Sequence, residues 1–371
     1  MEHRDRIDAV TGRMTEDGID LLVAASHARH SLVAADPATH LSGFRSLGES
    51  VVLLRRDGTS VLIASPASDG ERAAAQSRTT NVVATDDIAA AVATELADLG
   101  ANARIVVAGF TALPHRLAER LVAAIGRKTT PFEKIFYAIT GRKTAREIER
   151  AREAVAIAER GFEYLLEIAR PGMPEWQLAV EVNTYTKSLG ADDNFLMLSA
   201  LPHNKAVMSS STRPLAAGDV LLAELSPSYG GQYAQICRTV SIGSPSPVLQ
   251  EKYDLVISAM WAGIETIRPG IPMSEVCAGV DRVLTAAGYG EYCRPPYMRR
   301  RGHGFGTGSI SPGDVAVDND TILEEGMIFI VHPNQFIPET GYLLCGEPVR
   351  VTATGVETLS RSTARLCSIA A

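Results

Sequence analysis

The chain has 371 residues, 46% of them hydrophobic and 21% charged, with a formal net charge of −7 at pH 7. That length predicts two or three domains, and the balance is that of a soluble globular enzyme. A negative charge without a Lys/Arg-rich stripe argues against nucleic acid as a partner, and no apolar run reaches the roughly 18 residues that a membrane span needs. Residues 1–10 are charged and lack an apolar core, so no signal peptide is expected. The cysteines Cys237, Cys277, Cys293, Cys345 and Cys367 are scattered, odd in number and without CxxC spacing. Neither a disulfide framework nor a zinc site is expected from them, and the chain reads as cytoplasmic.

Residues 1–140 alternate between helical and strand patterns. The spacing predicts an amphipathic helix over 7–18 and a strand over 20–25. Residues 50–64 read as two strands around the turn Asp57-Gly58. A helix over 86–99, a strand over 103–108 and a helix over 115–125 complete a small α/β domain. The boundary falls within 136–146, where Ile139-Thr140-Gly141-Arg142-Lys143-Thr144 precedes a long helix over 145–168. A second domain then covers 141–371.

That second domain carries an internal repeat. Arg170-Pro171-Gly172-Met173-Pro174 is echoed by Arg268-Pro269-Gly270-Ile271-Pro272, each copy set between two helical patterns. Pro cannot continue a helix and Gly accepts positive φ, so each copy ends one helix before the next begins, over 175–189 and 274–287. Two copies of one helix–turn–helix predict pseudo-twofold architecture. Each is followed by strands: 220–225 with 232–241 around Tyr229-Gly230-Gly231, then 327–331 with 343–352.

Polar residues inside these apolar strands require a partner or a function. Glu224 stands in Leu221-Leu222-Ala223-Glu224-Leu225, and its structural alternative is a pairing with Arg238 across the hairpin. Gln235 is neutral and suits a hydrogen bond to substrate or a packing role. His303 lies in Gly302-His303-Gly304-Phe305-Gly306-Thr307-Gly308, whose glycines let backbone approach a ligand closely. The GxGxxG spacing fails there and no helix follows Ser309-Ile310-Ser311-Pro312, so this is not a dinucleotide fingerprint. His332 closes an apolar strand before Pro333. Arg299-Arg300-Arg301 could meet a substrate carboxylate, but a solvated loop is the better reading.

From about Thr144 onward the sequence resembles the pita-bread superfamily of creatinase, prolidase, aminopeptidase P and methionine aminopeptidase. Residues 36–53 resemble the N-terminal domain of creatinase and prolidase. The resemblance implies an α/β N-terminal creatinase-like domain and an α+β pita-bread catalytic domain with an internal pseudo-twofold repeat. Family metallopeptidases hold two metal ions with two Asp, one His and two Glu. The matching positions read Glu224, Gln235, His303, His332 and Gly346, with Glu347 beside the last. Only the His is unchanged, and hard divalent cations want anionic oxygen. A second, substrate-contacting His of the metallopeptidases falls at Ile310. Glu347 reaches the site only if a bulge shifts the strand register. His203, in Ala200-Leu201-Pro202-His203-Asn204, matches the creatinase loop that carries an acid/base His. Arg45 is a further candidate for substrate binding, because a dimer partner's N-terminal domain helps close the creatinase site.

In site character the chain resembles most the metal-free branch of creatinase and ectoine hydrolase. The leading expectation is therefore a metal-independent, non-peptidase hydrolase that cleaves a C–N bond in a guanidino, amidine or lactam-like metabolite. In it His203 moves the proton, Glu224 attacks the carbon or activates water, and His303 and His332 stabilise developing charge. Gln235, Glu347 and Arg45 bind the substrate. No metal and no cofactor are expected, the partner is a small molecule, and a homodimer follows from the resemblance. Two alternatives stand beside it. One is a mononuclear metalloenzyme, peptidase-like or lyase, built on Glu224, His303 and His332. The other is a non-catalytic binding module on the same scaffold.

Overall fold

The structure, a computed structural model, describes residues 2–27, 32, 36–307 and 311–371. Expectations at Gly308, Ser309 and Ile310 lie outside these residues. Two units emerge, one running up to Thr140 and the other formed by Gly141–Gly306 with Ser311–Ala371.

The N-terminal unit is organised by one strand. Leu21–Ser26 lies inside a mixed six-stranded sheet, parallel to Ile105–Ala108 and antiparallel to Ser50–Arg55. Successive side chains of a strand face opposite sides of its sheet. Leu22 and Ala24 accordingly join Val10, Met14, Leu41 and Phe44 in one core, while Leu21, Val23 and Ala25 join Ile88, Val92 and Leu121 in another. Both faces are covered, so the strand is a continuous apolar run rather than an alternating one. Each fully buried Leu or Val there contributes about 1.5–3 kcal/mol relative to exposure.

The second unit repeats one motif. In the first copy, helix Ala145–Ile168 turns through Arg170–Pro174 into helix Glu175–Ser188. In the second, Pro247–Ile264 turns through Arg268–Pro272 into Met273–Ala286. The turns match bond for bond. Gly172 (φ 85°) donates to the Leu215 carbonyl at 2.8 Å, and Gly270 (φ 90°) donates to that of Leu323 at 2.9 Å. Leu215 and Leu323 return hydrogen bonds to Met173 and Ile271 at 2.9 and 2.8 Å.

Each helical hairpin is followed by a sheet. The first contains Asp193–Leu201, Val220–Tyr229, Ile236–Ile242 and Cys367–Ile369, with Gln232–Tyr233 paired to Val220–Tyr229. The second contains Gly302–Gly304, Ile328–Val331, Glu347–Val351 and Val356–Thr358. The strand expected over 343–352 divides. Leu343 ends a small hairpin formed by Gln335–Ile337 and Gly341–Leu343, and only Glu347–Val351 pairs with Ile328–Val331. Among the described residues a single antiparallel bridge, Cys237 to Gly346, links the two sheets. No helix of the described residues is long and apolar enough to cross a membrane.

Candidate active site

The site grows from two strand positions, Glu224 and His303, and two positions at strand ends, Gln235 and His332. Glu224 lies opposite Cys237 in the antiparallel pair, and Gln235 stands immediately before Ile236, where the second strand of that pair begins. The Gln235 amide Nε2 donates to Glu224 Oε1 and, at 2.9 Å, to Ser226 Oγ. Its Oε1 is buried without a partner among the described residues. Glu224 is half-buried, and loss of solvent pushes its carboxyl up to about 7, against the opposing pull of the Gln235 hydrogen bond and the Arg300 charge.

His303 is held by its own loop. Gly302 at φ 149° passes so close to the next strand that a Cβ would stand 1.9 Å from the Ile330 carbonyl oxygen, so only Gly fits. His303 Nδ1 lies 3.0 Å from the Gly304 carbonyl, which can only accept. This assigns the proton to Nδ1 and leaves Nε2 as an acceptor. The His332 ring stands edge-on to it with centroids 5.2 Å apart. Both His332 ring nitrogens are buried without a hydrogen-bond partner among the described residues. Burial lowers the pKa of both imidazoles, that of His332 strongly, with His303 adding to the effect on His332.

Arg301 fixes the His332 corner. Its carbonyl accepts from the His332 backbone N–H at 2.8 Å. Its guanidinium donates to the Pro333 carbonyl at 2.7 Å, to Gln335 Oε1 at 2.9 Å and to Asp281 at 2.7 Å. The expected solvated loop holds for Arg299 and Arg300, which are exposed, and is corrected for Arg301, which is fully buried and supports the corner from beneath. Asn334, at φ 43°, completes that corner in the left-handed region, with its Oδ1 buried and unpartnered among the described residues.

These groups face a cavity of about 310 Å³ lined by Glu224, His303, His332, Asn334, Tyr342 and the segment Pro296–Arg300. The phenol of Tyr342 is pushed above its ordinary pKa by burial and then by Glu224, so it is a proton donor at neutral pH. A larger depression, about 790 Å³, lies in the N-terminal unit against Asp20 and Arg55–Asp57. Its Arg56 and Asp20 already pair with each other at 2.7 Å and are exposed. Buried, convergent polar groups mark a binding site better than volume does, and they occur in the smaller cavity.

The structure brings Glu224, Gln235, His303 and His332 together, and it places Glu347 and His203 off the cavity lining. Glu347 turns away. The regular pairing of Val331 with Glu347 leaves no bulge, and its carboxylate meets Arg238 at 3.1 Å, the Ala364 N–H at 2.6 Å and the Ser360 hydroxyl. Arg238 is therefore the partner of Glu347, not of Glu224. His203 is exposed; its Nε2 lies 2.9 Å from the Pro338 carbonyl, and its ring stands edge-on to Phe336, which stacks on Tyr297 of the cavity wall. It is not among the residues that line the cavity. Arg45 belongs to the N-terminal unit, where its carbonyl accepts from Arg72 at 2.8 Å. Asn334 and Tyr342 were not expected at the site; Arg299 and Arg300 line it, as one of the two readings of the arginine run allowed. The basic run was a visible signal for the arginines, whereas nothing local to Tyr342 announces it.

Two units of this architecture, with a site between strands of a duplicated helix–strand motif, define a creatinase/prolidase-type protein. The profile of metallopeptidase family M24 matches residues 149–356, and that of the creatinase/prolidase N-terminal domain matches residues 6–139. The chain belongs to metallopeptidase family M24. It is 33% identical over 227 residues to the uncharacterized peptidase YqhT of Bacillus subtilis (59% of this chain, 62% of that one). It is 28% identical over 227 residues to the Xaa-Pro dipeptidase of Pyrococcus furiosus (59% and 63%). The match spans less than two thirds of these relatives. Among solved structures, the Xaa-Pro dipeptidase from Bacillus anthracis superposes with a TM-score of 0.83 at 25% identity, covering 99% of this chain and 100% of that one. The fold expected from sequence is the fold found.

These relatives correct the expected reaction. A metal-independent, non-peptidase hydrolase of guanidino, amidine or lactam-like compounds is contradicted by curated and structural relatives that are peptidases, among them Xaa-Pro dipeptidases. The expectation was drawn from replaced ligands, and ligand identity bears on the metal rather than on the bond that is cleaved.

The residues present do not fit the metal pair that the family implies. Among the described residues, Glu224 is the only carboxylate lining the cavity. An amide N–H of Gln235 already points at it. Gly346 has no side chain, and a Cβ there would stand 2.7 Å from that of His332. Among the described residues no group of three or more His, Cys, Asp or Glu is placed to hold a metal, which also removes geometric support for a single ion on Glu224, His303 and His332.

Proposed function

We propose that the chain hydrolyses the amide bond of a short peptide, with Xaa-Pro dipeptides the first substrates to try. Family membership and the Xaa-Pro dipeptidases among its relatives support the bond type. The observation that carries the reading is Glu224 at the head of the cavity, its carboxyl near 7 and oriented by Gln235. A group poised at the working pH can both take and return a proton. Glu224 takes the proton of the attacking water as oxygen bonds to the carbonyl carbon, and returns it to the nitrogen as the C–N bond breaks. Tyr342 and His332 supply donors for the carbonyl oxygen as it gains charge. His303 offers Nε2 as an acceptor. The likeness in site character to creatinase and ectoine hydrolase rests on the replaced ligand positions and belongs to this proposal only as a description of the site.

Amino-acid release from a panel of dipeptides tests the reading. Cleavage is expected, with kcat/KM rising towards pH 7 as the Glu224 carboxylate forms and then levelling. Glu224→Gln is expected to lower kcat by about 10²–10⁴. The replaced ligand positions favour one second reading, a peptide-binding module. Saturable dipeptide binding without release of product would select it and sink the hydrolase.

A further inference from the structure

We propose that Asp281, which does not line the cavity, is a positioning residue for His332 and acts on it through Arg301. The catalytic side of that role rests on the hydrolase reading above. The His332 ring has no anchor of its own, because neither of its nitrogens has a hydrogen-bond partner among the described residues. Its direction is therefore inherited from the backbone that carries it. Arg301 grips that backbone before and after the ring. Its carbonyl accepts from the His332 N–H at 2.8 Å, and its Nη1 donates to the Pro333 carbonyl at 2.7 Å and to Gln335 Oε1 at 2.9 Å. Asn334, at φ 43°, lies between the last two contacts.

The guanidinium needs an anchor in turn. Arg301 is fully buried, and its Nη2 has no partner among the described residues. A buried donor left open favours any rotation that would satisfy it. Among the described residues Arg301 has one ion partner to oppose such rotation, Asp281, whose Oδ1 accepts from Nε at 2.7 Å. The other oxygen of Asp281 meets the Cys277 thiol at 3.9 Å. Asp281 stands on helix Met273–Ala286, which Val276, Val280 and Leu284 fix in the core. A charge on a rigid helix thus reaches the cavity wall in two steps, carboxylate to guanidinium and guanidinium to the backbone of 332–335. A catalytic group displaced by about 1 Å can lose about 10²-fold in rate. Asp281 touches no lining position directly, so ground-state binding is spared.

Dipeptide hydrolysis by Asp281 variants, alone and combined with His332→Ala, separates positioning from a merely structural role. Asp281→Ala is expected to lower kcat by about 10²-fold and leave KM within about twofold. Asp281→Asn should lose less, and Asp281→Glu should recover part of the loss. In a His332→Ala background Asp281→Ala should cost far less than it does alone, since the group it positions is gone. Histidine-ring NMR reads the same relay without turnover. The His332 ring signals should move in Asp281→Ala and return towards their wild-type positions in Asp281→Glu. An equal cost of Asp281→Ala with and without His332, a rise in KM at unchanged kcat, or unmoved His332 signals in the folded variant overturns the role. Should Asp281→Ala not fold, Asp281→Asn keeps an acceptor oxygen in place and is judged by the same cycle and the same signals. A wild-type protein that cleaves no dipeptide would sink the hydrolase, and the ring signals alone would then decide the relay.

Discussion

Glu224 shows how one side chain can trade stability for reactivity. Its carboxyl is raised from 4.5 in the unfolded chain to about 7 in the fold, because ionisation must occur away from water. The folded state therefore binds the proton more tightly. Below about pH 4.5 both states are protonated and nothing is lost; stability falls between 4.5 and 7 and stays lower above. A shift of this size corresponds to about 3 kcal/mol as an upper limit, reduced by the half-exposure of the group. Glu224→Gln should thus gain about 1–3 kcal/mol in urea unfolding at pH 8 and almost nothing at pH 4.5. A variant no more stable than wild type at pH 8 would show that the carboxyl ionises without penalty. His303 and His332 act in the opposite sense: their pKa values are lowered by burial, so protonation on acidification favours the unfolded chain. At this scale the sequence was legible where chemistry is local. A carboxylate in an apolar strand and a His among glycines both announced themselves. Tyr342 did not, because its role comes from meeting Glu224, far away in sequence.

Among the elements, register decides what a residue does. Gly346, the bridge residue, immediately precedes Glu347, the first residue of the strand Glu347–Val351, and consecutive positions of extended chain serve opposite sides. Gly346 packs under His332, while Glu347 points to Arg238 in a pair whose side chains are 0% and 2% exposed. Glu347→Gln should leave the Arg238 charge buried without compensation and cost about 3–5 kcal/mol in urea unfolding. KM for substrate should not move. Unchanged stability with lost turnover would instead return Glu347 to the site. The sequence left that face open, since alternation alone cannot detect a bulge. Helix limits were more legible because their signals lie within a few residues. Thr144 and Glu147 exchange hydrogen bonds as a capping box at the start of Ala145–Ile168, and Gly126 takes the left-handed conformation after His115–Ile125. The strand Asp193–Leu201 and the hairpin of Gln335–Ile337 with Gly341–Leu343 went unread, being defined by partners rather than by a pattern of their own.

For the whole second unit, the repeated turn is the strongest link from sequence to architecture. A five-residue echo became two turns with the same hydrogen bonds, while the strands that follow the two copies diverged completely in their polar residues. The first supplies Glu224 and Gln235, the second His303 and His332. Duplication thus preserves the frame and leaves each half free to contribute its own chemistry to one cavity. The frame can be tested apart from the chemistry. Gly172 and Gly270 adopt φ 85° and 90°, and a Cβ at either meets no atom within 4 Å. Alanine at either position therefore carries only the backbone penalty of the left-handed region, about 1–2 kcal/mol. Gly172→Ala and Gly270→Ala should destabilise equally in urea unfolding. The two turns share no hydrogen-bond partner, so the double variant should show their sum within about 0.5 kcal/mol. A large inequality between the single variants would mean that the two turns, though alike in geometry, do not support their halves alike. A double variant far from the sum would mean that one half transmits its strain to the other.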